Sequence, residues 1–281
     1  MTTLIEAQEL TKKYSVRLFS NLSLSVNHGE VLVIRGNNGS GKSTLLKILA
    51  GITEPTHGTI KRMKPDLIIS YVPEKFPDDI RFTAKQYLYH MGRIQGLTKP
   101  ELQDRISSLL RQFRLESEHA NAIHTFSKGM KQKVGIMQAL LAKPDILLLD
   151  EPLSGLDTGT QDDLESILYQ LKLDGMTILV ACHEQKRFNS IVDRGIILGD
   201  QPIQSEYYPA GELPHRVIIQ ADTNAQKLDF LYGIAGVIDK EPIDDGDVIR
   251  LDVEPFASDR ILLALIQHGC SIQSLHTESE K

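Results

Sequence analysis

Gly36 and Gly41 enclose four residues, Asn37, Asn38, Gly39 and Ser40, and are followed at once by Lys42, Ser43 and Thr44. That is the spacing of a phosphate-binding loop. Glycines let successive backbone N–H groups turn inward on an anion, and the positive end of a following helix adds to the attraction. Lys42 supplies a point charge for the β- and γ-phosphates of a nucleoside triphosphate. Ser43 offers Mg²⁺ a hard hydroxyl oxygen. A second motif, Ile146 to Leu149 followed by Asp150 and Glu151, is an apolar run that ends in two carboxylates. Asp150 suits the metal's shell and Glu151 suits a general base or water-positioning group.

Both motifs need a scaffold that delivers them to one place. Val31 to Ile34 is a continuous aliphatic run, as expected of a strand buried on both faces, and a helical pattern over Lys42–Ala50 follows the loop. Short strands are expected at Leu4–Leu10 and Leu22–Val26. A mostly helical stretch runs from Thr83 to about Ala142, with Leu109, Leu110 and Phe113 on one face. Strand patterns return at Ile146–Leu149, Thr177–Cys182 and Gly195–Leu198, with a helix over Gln161–Leu173. Alternating strands and helices predict an α/β fold with a parallel sheet.

Pro202, Pro209, Gly211 and Pro214 interrupt the pattern, and the charge balance shifts with them: residues 201–281 carry 6 basic and 14 acidic groups of a chain whose net charge is −6. A domain boundary is expected there, giving a domain over 1–208 that carries the phosphate loop, with a helical subdomain at about 79–142, and an accessory domain over 209–281. Beyond it the order reads strand (Arg216–Gln220), helix (about Ala225–Tyr232), hairpin (about Val237–Val253, around Asp244-Asp245-Gly246), helix (Asp259–His268) and strand (Ser271–Leu275). That order fits a small α+β, ferredoxin-like sandwich.

Composition removes other classes. The longest apolar run, Ile261 to Ile266, is six residues, far short of the roughly 20 a membrane-spanning helix needs. No secretory leader precedes Glu6, which predicts a cytosolic chain. Cys182 and Cys270 have no second thiol at metal-site spacing. Neither portion carries the basic bulk of a nucleic-acid binder.

With the two motifs in place, the chain resembles the ATP-binding cassette ATPases over roughly residues 3–200. Phe126-Ser127-Lys128-Gly129-Met130 lies upstream of the carboxylate strand, where the family carries its Leu-Ser-Gly-Gly-Gln signature. Ser154-Gly155-Leu156-Asp157 matches the D-loop, His183 follows the next strand as the switch histidine does, and Tyr14 stands where an aromatic ring stacks on adenine. The resemblance implies a P-loop NTPase (RecA-like) parallel-sheet core with an antiparallel β subdomain and a helical insertion. It also implies ATP and Mg²⁺ as ligands, with Glu151 and His183 catalytic and Ser43, Asp150 and Glu74 around the metal.

Three positions depart from the family pattern: Lys128 replaces a Gly, Met130 a Gln, and Glu74 the Gln that usually follows this strand. Phe126 to Lys133, together with Glu74, is similar to the ATPase subunits of two-component exporters. The resemblance implies a head-to-tail dimer, identical or paired, in which Ser127 and Gly129 act in trans, docked on a separate transmembrane permease at the inner face of the membrane. The rival is a cassette acting on ribosomes, DNA or an assembly complex. Paired cassettes or long heptads would mark it, and the sequence has neither. A GTPase reading lacks an Asn-Lys-x-Asp guanine reader.

Overall fold

The computed structural model describes residues 2–118, 120–183, 188, 191–198, 205–207, 216–222, 237–243, 248–253 and 258–278. The chain divides into two compact units, Met1–Tyr208 and Pro209–Lys281.

In the first unit, a six-stranded sheet has the order β5-β6-β7-β3-β8-β9, where β3 is Val31–Arg35, β5 Ile69–Val72, β6 Ile146–Asp150, β7 Thr177–Cys182, β8 Arg194–Ile197 and β9 Ser205–Tyr207. All pairs are parallel except β8 with β9. Every residue of β3, β6 and β7 is buried, which explains their unbroken aliphatic sequences. Alternate side chains enter two different cores. Val31, Val33, Leu147, Leu149, Ile178 and Val180 face the helices. Leu32, Ile34, Ile146, Leu148 and Leu179 face the other way.

That second core is closed by α1 (Lys42–Leu49) and by an antiparallel sheet of order β2-β1-β4, with β1 at Thr3–Lys13, β2 at Arg17–Asn27 and β4 at His57–Arg62. The strands expected at 4–10 and 22–26 are thus longer than their apolar patterns. β4 carries no apolar alternation at all. Its His-Gly-Thr-Ile-Lys-Arg sequence is mostly exposed and extends because it pairs with β1.

The helical stretch resolves into α2 (Ala84–Ile94), α3 (Lys99–Gln112) and α4 (Lys128–Leu140), and α5 (Thr158–Leu173) follows β6. Capping boxes start α2 and α3: Thr83 with Gln86, and Thr98 with Glu101. Gly96, at φ 87°, turns the chain between them.

The second unit has a core of its own, from Val217 and Ile219 to Ile261 and Leu265. Its sheet order is β11-β12-β10-β13, with β10 Arg216–Asp222, β11 Val237–Ile243, β12 Val248–Val253 and β13 Ser271–Glu278. Every neighbouring pair is antiparallel, and α6 (Ser258–Gln267) connects β12 to β13. This is the strand order of a ferredoxin-like sandwich. The helix expected at 225–232 and the turn at 244–246 lie outside the described residues.

Candidate nucleotide-binding and hydrolysis site

The parallel register assembles the site. Arg35 at the end of β3 lies opposite Cys182 at the end of β7, and Asp150 at the end of β6 lies opposite Ala181. Val72 ends β5 beside Leu149. The residues that follow these strands, Gly36, His183, Glu151 and Pro73-Glu74, therefore emerge along one edge, at the carboxyl ends where open α/β sheets bind ligands.

Between β3 and α1, two loop positions accept only glycine. At Gly36 a Cβ would come within 2.6 Å of the Leu198 carbonyl oxygen. At Gly41, which has φ 99°, it would press on the Phe19 ring at 3.0 Å. Gly41 is also the N-cap of α1 and brings no side-chain cap to the helix, so the first amides of α1 keep their capacity for an anion. Within the loop, Ser40 Oγ is buried without a hydrogen-bond partner. A glycine-shaped cradle with an orphaned hydroxyl and open amides fits a phosphate chain.

Lys42 is 6% exposed, and its Nζ donates to the Gly36 carbonyl at 2.9 Å. The same ammonium lies 3.3 Å from Glu151 Oε1. Glu151 Oε2 in turn stands 2.8 Å from His183 Nδ1, so one carboxylate bridges the lysine and the histidine. Glu151 holds a left-handed φ of 48°, uncommon outside glycine. Its N–H donates to the Ala181 carbonyl of β7 at 2.9 Å.

Asp150, 4% exposed, is satisfied twice. Ser43 Oγ donates to Oδ1 and the Tyr71 hydroxyl to Oδ2, both at 2.8 Å. Burial, reinforced by this bond to Asp150, pushes the Tyr71 phenol up from its ordinary value. Burial likewise pushes the Cys182 thiol up to about 11, so this cysteine is an inert wall rather than a nucleophile. Among the described residues no cluster of three or more His, Cys, Asp or Glu could hold a metal by itself. Ser43 and Asp150 nevertheless present hard oxygens of the kind Mg²⁺ takes together with phosphate oxygens.

A cleft of about 310 Å³ opens over this edge. It is lined by Asn38, Gly39, Gly41 to Thr44, Glu151, Glu74 and Leu18. Tyr14 is not among the lining residues; it is 58% exposed, with the Lys12 ammonium 4.8 Å from its ring centroid. His183 joins the site through Glu151. Two contributors were not singled out from sequence. Leu18 has no motif around it, and the phenol of Tyr71 finds Asp150 only through the pairing of β5 with β6.

The segment Phe126 to Met130 forms a separate surface feature. Ser127 caps α4, its Oγ accepting from the Met130 N–H at 3.2 Å. Phe126 is buried and Met130 packs at the edge of the helical core. Gly129 lies against α5, where a Cβ would meet Thr160 Cγ2 at 2.2 Å. Asp157 caps α5, accepting from the Thr160 N–H at 3.0 Å. Lys128 reaches the Ser154 carbonyl.

The ABC transporter family profile matches residues 19–154. The ABC transporter ATP-binding protein NatA of Bacillus subtilis is 35% identical over 198 residues, 66% of this chain and 80% of NatA. The chain belongs to the ATP-binding cassette ATPases. A solved ATP-binding subunit of an ABC transporter is 30% identical and superposes with a TM-score of 0.63, covering 73% of this chain and 90% of that one. A dimeric cassette solved in a post-hydrolysis state with ADP and phosphate is 25% identical, with a TM-score of 0.64 over 73% of this chain and 98% of that one. The protein is thus a transporter-family ATPase that binds and hydrolyses ATP. Among the described residues of this cassette, no helix is long and apolar enough to cross a membrane.

Proposed function

We propose that this cassette powers a separate membrane permease, as an exporter, by ATP-driven head-to-tail dimerisation at the cytoplasmic face of the membrane. The observation that carries the reading is the bridge Lys42–Glu151–His183 beside the Ser43–Asp150 pair, all at one sheet edge. The loop amides and Lys42 hold the phosphates. Glu151 accepts a proton from the attacking water, and His183 orients Glu151 and contacts the γ-phosphate. Ser43 and Asp150, with Glu74 at the rim, would hold Mg²⁺, which would supply neutralisation of the phosphate charge.

One signature and one phosphate loop per chain call for a second copy, identical or paired, whose Ser127 and Gly129 close over this ATP. The cleft edge at Glu74 to Asp79, beside the helical subdomain, receives the permease. What supports export is the similarity of Phe126 to Lys133, with Glu74, to two-component exporters.

Glu151→Gln incubated with ATP is expected to elute as a dimer on sizing chromatography, and Lys42→Ala to lose MgATP binding. The full chain should sediment with membranes only when its permease is present. An ATP-independent monomer for Glu151→Gln, or sedimentation with ribosomes instead, overturns the reading.

A further inference from the structure

Lys128 is where this chain replaces the first glycine of the family signature, and its side chain does something a glycine cannot. From the first residue of α4 its Nζ donates to the Ser154 carbonyl, 26 residues away in the D-loop. Gly155, at φ 64°, leaves its side-chain position to the lysine, since a Cβ there would stand 2.6 Å from Lys128 Nζ. Gly129 adds a second point of contact by lying flat against Thr160, the residue that Asp157 caps. The turn that Lys128 grips leads straight to the hydrolytic carboxylate: the Ser154 N–H donates to the Glu151 carbonyl at 3.1 Å, and the Leu156 N–H to the Leu153 carbonyl at 3.2 Å.

We propose that Lys128 is a positioning residue that ties the signature tip to the D-loop of its own chain, so that occupancy of the signature by a neighbour's ATP is felt at this chain's Glu151. The proposal rests on the head-to-tail reading for its consequence, not for the tie itself. An exposed ammonium on a carbonyl is a modest bond, but here it closes a short path of hydrogen bonds rather than a loose surface pair. A lysine at this position therefore makes the two ATP sites of a dimer report to each other.

The test has two arms on the full chain. Without nucleotide, amide hydrogen exchange at Ser154 and Leu156 should quicken roughly fivefold in Lys128→Met and return to the parent rate in Lys128→Arg, which keeps a donor. Unchanged exchange in Lys128→Met overturns the tie. This arm needs no ATP and no dimer, so it fails separately from the proposed function, which the Glu151→Gln dimer tests. In the second arm, the dependence of ATP hydrolysis on ATP concentration should be sigmoidal in the parent, should approach a simple hyperbola in Lys128→Met, and should recover in Lys128→Arg. A hyperbolic parent, or a Lys128→Met curve as sigmoidal as the parent's, overturns the coupling between sites.

Discussion

Glu151→Gln should tighten the binding of ADP. The Lys42 ammonium, 6% exposed, faces the Glu151 carboxylate, whose side chain is 13% exposed, at 3.3 Å. At an effective dielectric of about 20, such a pair attracts by about 5 kcal/mol, an upper bound because both ions have given up water. A phosphate entering the loop must take Lys42 away from that carboxylate and sit near it. The amide of glutamine keeps the shape and loses the charge, so both costs fall together. Lys42 also donates to the Gly36 carbonyl at 2.9 Å, a bond that does not depend on the Glu151 charge, so only part of the attraction is expected to reappear as affinity. A net gain of about 1–2 kcal/mol, roughly five- to thirtyfold in Kd, is expected. ADP is the ligand of choice because it cannot be hydrolysed at the γ-position, so binding is read apart from turnover. Titration calorimetry on the two proteins gives the answer, and thermal unfolding gives a cross-check. The variant should melt lower than the parent when empty, its buried ammonium having lost a partner, and should be raised more by ADP. Equal or weaker ADP binding by Glu151→Gln would refute the idea that this carboxylate competes with phosphate for Lys42.

Tyr71→Phe removes one of the two donors on the buried Asp150 carboxylate and should cost about 1 kcal/mol of stability by urea titration; an unchanged midpoint would mean that the phenol is idle. Asp157→Ala should lower the melting temperature by uncapping α5. The Thr160 hydroxyl and then the Thr160 N–H hold the Asp157 carboxyl below the usual carboxylate value, so its contribution is complete above that usual value and is lost as pH falls through the lowered one. The gap between parent and Asp157→Ala should therefore narrow in acid. Removing residues 209–281 should leave a folded chain that still binds MgATP, because the two cores of the first unit and the core of the second share no residue; loss of binding on calorimetry would contradict this.

How far the sequence could be read depended on whether a signal was carried by burial or by pairing. β3, β6 and β7 are buried on both faces, so their aliphatic runs announce them. The loop from Gly36 to Ser43 was equally plain, since a tight turn around an anion constrains residue type at several positions at once. β4 was invisible because its exposed side chains follow the partner strand β1 rather than any core. β5 is four residues long and leaves no period to detect. Tyr71 reaches Asp150 through the β5–β6 register and Leu18 reaches the cleft from β2, long-range facts that no local pattern encodes. Lys128 was legible as a departure from the family pattern, but its partner Ser154 was not, because the contact depends on how α4 meets the turn after Glu151.

The arrangement around Glu151 also bears on the step after hydrolysis. The Glu151 carboxylate pairs with Lys42 and faces His183, while its backbone sits in a left-handed conformation that costs of order 1–3 kcal/mol. The hydrogen bond from its N–H to the Ala181 carbonyl fixes that backbone to β7. A site that offers its lysine an internal anion weakens its hold on product without any change in the loop that binds it. On the proposed roles of these residues, product release is a competition for one ammonium between the Glu151 carboxylate and the phosphates. A carboxylate suited to activating water at this position is by the same geometry suited to reclaiming Lys42, and moving Glu151 away from the lysine to favour binding would also move it away from His183.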